Sequence, residues 1–208
     1  MTPAERLGAG IAALGLALPD GGEAILLRFM ELLRKWNRVY NLTAIDSEAA
    51  MVVQHLLDSL SVLPYLSEVP ALVDLGSGAG LPGIPIAVAR PATVVTLVEA
   101  VQKKCAFQQQ AKIELGLANI RVNYGRVEDM AAGGGYPAVI SRAFADLAEY
   151  ARLAGRLLAP GGRLYAMKGG LPAKEIAALP PPWRVVEQRP LGVPGLAAQR
   201  HLIVMERP

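Results

Sequence analysis

The chain has 208 residues, 52% of them apolar, one cysteine and a formal net charge of +3. That length suits a single well-packed domain with room for a small appendage, and so apolar a composition with few aromatics leads to a core of Leu, Val, Ile and Ala. A lone cysteine, Cys105, excludes an internal disulfide and suits a reducing compartment, so the expected location is the cytoplasm.

Residues 1–68 read as a helical region, with helices expected over 2–17, 22–40 and 47–63. Leu7, Ile11, Leu14 and Leu18 recur at helical spacing. This stretch is too short to span a bilayer, and Glu5 stands where a signal peptide carries positive charge, so an amphipathic helix is expected. Pro19-Asp20-Gly21-Gly22 forms a turn. Ile25, Phe29, Leu32 and Leu33 then share one face of the second helix. Arg28, Arg34, Lys35 and Arg38 against Glu31 leave a local basic excess, which on composition alone reads as a solvated face. Asp46 or Ser47 caps the third helix, with Glu48 in the first turn, where the helix dipole favours an anion. His55 and Asp58, one turn apart, read as partners in structural hydrogen bonds.

The run Val73-Asp74-Leu75-Gly76-Ser77-Gly78-Ala79-Gly80-Leu81-Pro82-Gly83 comes next. An apolar strand breaks into a glycine-rich turn, and an apolar helix follows at once. Such a unit brings backbone N–H groups and a helix N-terminus close to a ligand. Gly78 to Gly83 also satisfies the G-x-G-x-x-G dinucleotide pattern, so an NAD(P)-linked oxidoreductase is the competing reading. Asp74 favours the other. A carboxylate at the strand's end repels a pyrophosphate and suits an amine or a sulfonium, as in S-adenosylmethionine. Both readings expect a second strand ending in an acid for ribose hydroxyls, and 93–98 followed by Glu99 supplies it. An unliganded structural turn is the third alternative.

From Ala71 onward strands and helices alternate. Strands are expected at 71–75, 93–98, 120–123, 137–141, 163–167, 183–189 and 200–206, and helices at 83–89, 102–115, 146–158 and 172–178. Alternation of this kind makes a mostly parallel sheet covered on both faces, with its ligand at the carboxyl ends of the strands. The last two strands flank a Pro/Gly-rich connection at 190–195 and form an edge hairpin that places one antiparallel strand among parallel neighbours. The expected architecture is α/β: a Rossmann-like class I S-adenosylmethionine-dependent methyltransferase with a seven-stranded sheet over 69–208, and a helical N-terminal extension, 1–68, packed on it.

Four strand-end loops carry the polar residues. The first offers Asp74, Gly76, Gly78 and Leu81, and the second Glu99, a bidentate acceptor for ribose. The third offers Arg126, Val127, Glu128 and Asp129, where a backbone N–H and a side-chain acceptor suit the adenine edge. The fourth offers Ser141 and Arg142 at the pocket mouth. No Pro-Cys pair is available to attack C6 of a pyrimidine, and no Asn/Asp-Pro-Pro-Tyr/Phe motif follows the fourth strand. Guanine N7 carries an unprotonated lone pair and needs no general base, so alignment and electrostatics suffice for its methylation. Arg142 is the candidate catalytic residue, holding guanine O6 or a phosphate.

Several blocks carry a resemblance: Lys35-Trp36-Asn37, Tyr40-Asn41-Leu42-Thr43, His55-Leu56-Leu57-Asp58-Ser59, the glycine turn continued through Ile84-Pro85, Ser141-Arg142-Ala143-Phe144, Lys168-Gly169 and Arg200-His201-Leu202. With these the chain resembles the glucose-inhibited division protein B family, bacterial methyltransferases of guanine N7 in 16S ribosomal RNA. The resemblance implies S-adenosylmethionine contacts at Gly76, Leu81, Val127, Glu128 and Arg142. It also implies that the helical region and the basic residues near the pocket face rRNA in the small subunit or an assembly intermediate. Arg34, Lys35, Arg38, Asn41, Lys168, Arg200 and His201 are the candidates. A non-catalytic rRNA-binding assembly factor is the remaining rival, and the intact acids Asp74, Glu99 and Glu128 argue against it. No metal is expected. No role attaches to the Ala/Gly-rich loop 131–135.

Overall fold

The computed structural model describes residues 1–130, 135–144 and 146–207. Most of the loop 131–135 therefore lies outside the described residues.

Helix α1 (Pro3–Ala13) opens with a capping box: Glu5 N–H donates to Thr2 Oγ1, and Thr2 N–H donates to the Glu5 carboxylate. It stops at Ala13 rather than 17. Gly15 takes a left-handed φ of 65°, so the Gly15 and Leu16 N–H groups fold back onto the Ala12 and Ile11 carbonyls in a Schellman end. Helix α2 (Gly22–Tyr40) runs as expected and buries Leu26, Phe29, Leu32 and Leu33. The third helix is not uniform. Ser47 caps α3 (Glu48–Met51), a π-helical stretch (Val52–Leu57) follows, and α4 (Asp58–Leu60) completes the rod.

Seven strands form one sheet: β1 (Ala71–Leu75), β2 (Val94–Glu99), β3 (Ile120–Tyr124), β4 (Tyr136–Arg142), β5 (Leu158–Lys168), β6 (Arg184–Pro190) and β7 (His201–Glu206). Their order is β3-β2-β1-β4-β5-β7-β6. The first five are parallel, and β7 runs antiparallel between β5 and β6. Helices α5 (Gly83–Ala89), α6 (Gln102–Leu115), α7 (Leu147–Ala154) and α8 (Ala173–Ala177) complete the chain. The helix expected over 146–158 ends at Ala154, because a 3₁₀ turn at Gly155–Leu157 hands Leu158 to β5. Strand β5 is correspondingly longer than the expected 163–167. Its Pro160-Gly161-Gly162 segment takes up a register shift against β4 instead of ending the strand.

Apolar side chains cover both faces of the sheet. One cluster runs from Leu7, Leu26 and Phe29 of the helical region into Ile84, Phe107 and Ile140 without a break. The other packs Tyr150, Leu153 and Leu157 against Val73, Val139 and Leu164. Strand order reverses between β1 and β4, which places the crevice of a doubly wound sheet at their carboxyl ends.

Candidate active site

At that crevice, strand β1 ends in the glycine turn. Gly76 and Ser77 donate their N–H groups to the Val98 carbonyl, which ties the turn to the end of β2. Gly78 adopts φ 56°, a left-handed conformation that costs an L side chain about 1–2 kcal/mol. Its N–H donates to Glu99 Oε2 at 2.8 Å, while Glu99 Oε1 accepts from Val101 N–H at 2.9 Å. Glu99 thus braces the turn with one lone pair on each oxygen and keeps the other available to a hydroxyl. Gln108 on α6 supports the same turn from behind, donating to Ser77 Oγ and the Gly78 carbonyl, both at 2.8 Å.

Asp74 lies deeper than a ligand-facing acid would. It is fully buried, and its Oδ2 accepts from Gly83 N–H, the first residue of α5, at 2.7 Å. Its Oδ1 is buried without a hydrogen-bond partner among the described residues. Burial pushes the carboxyl up to about 7, against the bond from Gly83 and the nearby Arg142 charge. Asp74 therefore anchors the helix N-terminus beneath the turn.

Around this turn several cavities lie side by side. A cleft of about 250 Å³ is walled by Leu75, Val98, Val127, Phe144 and Leu153, with Gly76, Glu99, Gly125, Arg126 and Glu128 at its polar positions. Arg126, Val127 and Glu128 reach it through a short 3₁₀ turn after β3, Val127–Asp129, in which Asp129 faces solvent. A second cavity, about 170 Å³, shares Gly76 with the cleft and is lined by Ser77, Gly78, Leu81, Thr43, His55 and Arg142. A third, about 310 Å³, shares His55, Arg142 and Ala143 with the second, and adds Asp58, Lys168 and Arg200. The largest, about 600 Å³, meets the second at Thr43 and is lined by Arg34, Asn37, Arg38, Asn41 and Asp46.

Arg142 stands on the wall between the second and third cavities. Its Nη1 donates to the Gln54 carbonyl at 2.9 Å and to Asp58 Oδ2 at 3.1 Å. The residue after it, Ala143, holds φ 58°, a conformation rare outside glycine and characteristic of functional turns. His55 meets Thr43 Oγ1 through Nε2 at 2.9 Å. Burial first, and the Arg142 charge second, bring its pKa down to about 4, so the imidazole is neutral at physiological pH. His55 and Asp58 do not bond to each other; each is tied to a different element.

Ser141 does not reach the mouth. Its hydroxyl is buried and donates to the Leu75 carbonyl at 2.7 Å, stitching β4 to β1. Lys168 and Arg200 line the third cavity, Lys168 donating to Glu175 at 2.8 Å. His201 begins β7 in register with Lys168 and is not part of that lining. On α2, Arg28 donates to the Glu114 carbonyl and Arg34 pairs with Glu48. Lys35 and Arg38 are exposed, with no ion-pair partner among the described residues. Cys105 is buried on α6, its thiol pushed up by burial, as suits a packing residue. The sequence reading gave no role to Thr43, Gln54, Gln108 or Phe144. Only Thr43 and Phe144 carried a signal, as members of the blocks quoted for the family resemblance.

Among the described residues no helix is long and apolar enough to cross a membrane, and no cluster of three or more His, Cys, Asp or Glu side chains could hold a metal. In solved structures the same fold recurs in a SAM-dependent methyltransferase from Aquifex aeolicus. The TM-score is 0.60 at 14% identity, over 79% of this chain and 96% of that one. It recurs in M. jannaschii TYW2 in complex with AdoMet, at a TM-score of 0.54 and 13% identity, over 73% and 77% of the two chains. At such identities the likeness establishes the fold, a class I methyltransferase sheet. Sequence relatives go further. The ribosomal RNA small subunit methyltransferase G of Azoarcus sp. is 55% identical over 208 residues, covering 100% of this chain and 98% of that protein. The protein of the same name from Nitrosospira multiformis is 50% identical over 100% and 99% of the two chains. Nothing in these matches supports an NAD(P) oxidoreductase. The family model for GidB, rRNA small subunit methyltransferase G, matches residues 23–203, and the chain belongs to that family.

Proposed function

We propose that this protein transfers the methyl group of S-adenosylmethionine to N7 of a guanine in 16S rRNA. The observation that carries the reading is the adjacency of the cavities, which share lining residues. An apolar, acid-edged cleft and a basic cavity both border the small cavity at the glycine turn, and Arg142 lines the small cavity and the basic one.

The residues present fit the methyl donor. In the cleft Val98, Val127, Phe144 and Leu153 offer apolar surface for a nucleobase, Glu99 has lone pairs for ribose hydroxyls, and Glu128 offers an acceptor for an adenine amino group. Two carboxylates against one cation, Arg126, suit an uncharged nucleoside and a sulfonium better than a pyrophosphate. Gly76, Gly78 and Leu81 line the next cavity, the place for the methionine half and the methyl group. When bound, S-adenosylmethionine supplies an electrophilic methyl on a cationic sulfur. Asp74 takes its part indirectly, by fixing the start of α5 under the turn.

For the acceptor, the chain needs to align a guanine rather than deprotonate it. A neutral His55 adds no charge beside the sulfonium, and Arg142 can hold O6 or a phosphate oxygen. Arg34, Arg38 and Asn41 line the large groove, and Lys168 and Arg200 the third cavity, so together they offer two tracks for flanking phosphates. Lys35 and His201, outside both linings, are at most peripheral to them.

Incubation with tritiated S-adenosylmethionine and unmethylated small subunits, followed by borohydride and aniline treatment, tests the reading. Label with one new cleavage site is expected. Label without cleavage overturns the N7 assignment. Binding of S-adenosylmethionine without label points to a different RNA, and absence of both favours a non-catalytic assembly factor.

A further inference from the structure

The guanidinium groups of Arg142, at the end of β4, and Arg200, just before β7, meet at one carboxylate. Asp58 Oδ2 accepts from Arg142 Nη1 at 3.1 Å, and Asp58 Oδ1 accepts from Arg200 Nε at 3.1 Å. Asp58 is 1% exposed, whereas both arginines line the third cavity with about a fifth of their side chains open to solvent. Each arginine has a second anchor: Arg142 Nη1 on the Gln54 carbonyl and Arg200 Nη1 on the Gln199 carbonyl, both at 2.9 Å. No hydrogen-bond partner stands at Arg142 Nε or Nη2, or at Arg200 Nη2, among the described residues. Those donors are left for a ligand.

Two guanidinium groups brought to one cavity repel one another unless an anion stands between them. Asp58 is that anion. It is presented where the π-helical stretch Val52–Leu57 returns to α-helix, and this same stretch supplies the Gln54 carbonyl. A π-helical insertion of this kind re-aims the residues around it and is frequent at functional sites.

We propose that Asp58 is a positioning residue for methyl transfer: it sets Arg142 and Arg200 as a rigid pair of donors for oxygen acceptors of the target nucleotide. The inference rests on the proposed rRNA reading. Asp58 touches neither reactant. It acts by fixing the two arginines, which reduces the entropy lost when the nucleotide is aligned with the methyl group.

The test uses Asp58→Asn and Arg200→Gln, singly and together, with unmethylated small subunits at saturating S-adenosylmethionine. Asp58→Asn conserves shape, and Arg200→Gln leaves the Asp58–Arg142 contact in place, so a folded protein is available even if one variant is unstable. Each single change is expected to lower kcat/KM for RNA by about 10-fold or more. The double variant should be no worse than Asp58→Asn alone, because both act through one network. If the acceptor is a phosphate, the salt slope of RNA binding shrinks by about one; if it is guanine O6, the slope is unchanged. Folded Asp58→Asn protein with kcat and KM within about twofold of wild type would overturn the assignment, as would additive losses in the double variant. Absence of transfer by the wild-type protein would instead bring down the rRNA reading, and this assignment with it.

Discussion

The buried carboxyl of Asp74 gives stability a pH dependence that one substitution should remove. Its Oδ1 has no partner among the described residues, and its pKa is raised from 3.8 to about 7, chiefly by desolvation. The folded state therefore holds a proton that the unfolded chain releases. Stability from this source is complete below about pH 4 and is lost as pH rises through about 7. Moving the carboxyl from 3.8 to about 7 corresponds to about 4 kcal/mol in all, more than half of which falls between about pH 5 and pH 8. Asp74→Asn keeps an acceptor for Gly83 N–H but cannot ionise. Urea unfolding of both proteins across that range should show wild type losing about 2 to 3 kcal/mol relative to the variant as pH rises. A difference independent of pH would refute the reasoning. It would mean that Oδ1 has a partner, such as an ordered water, and that the carboxylate is ionised throughout.

Other expectations follow from the same geometry. Gly78→Val should fold, since a Cβ there meets nothing nearer than the Gly76 carbonyl at 4.0 Å, yet it puts a branched side chain at a left-handed φ on the cavity wall. Calorimetry should show S-adenosylmethionine affinity reduced at least about 10-fold, with stability lower by about 1–2 kcal/mol; unchanged affinity would refute the placement. Gly83→Ala is the harsher change, because its Cβ would fall 2.3 Å from Leu97 Cδ2 and 2.7 Å from Asp74 Oδ2. It should cost about 2 kcal/mol or more in denaturant titration, and a neutral result would mean that α5 can shift. If Arg34, Arg38, Lys168 and Arg200 contact phosphates, RNA affinity should fall with a log–log salt slope of about −3 to −4, and Arg38→Ala should reduce that slope by about one. A slope untouched by Arg38→Ala would return α2 to a solvated face.

Sequence alone determined the elements whose signals are local. The alternation of apolar runs and breaks located seven strands to within a few residues, and the last pair announced the antiparallel insertion. The glycine turn and Glu99 were legible because a turn of this kind constrains residue type at fixed spacing. Helix α1 ended early because Gly15 acts through its φ, and β5 began early because a strand can absorb a Pro-Gly-Gly segment as a register shift. Tertiary structure alone decided what the side chains of Asp74, Ser141, Arg34 and Asp58 touch. Asp74 and Ser141 looked like ligand residues by position, but their side chains turn inward to a helix start and a neighbouring strand. Two of the four cations on α2 are engaged within the chain, Arg28 by a carbonyl and Arg34 by Glu48. Arg142, Asp58 and Arg200 meet across 84 and 142 residues of chain. No periodicity or spacing encodes such a contact. It exists only because the helical region packs over the carboxyl ends of the strands and brings a buried carboxylate to two arginines.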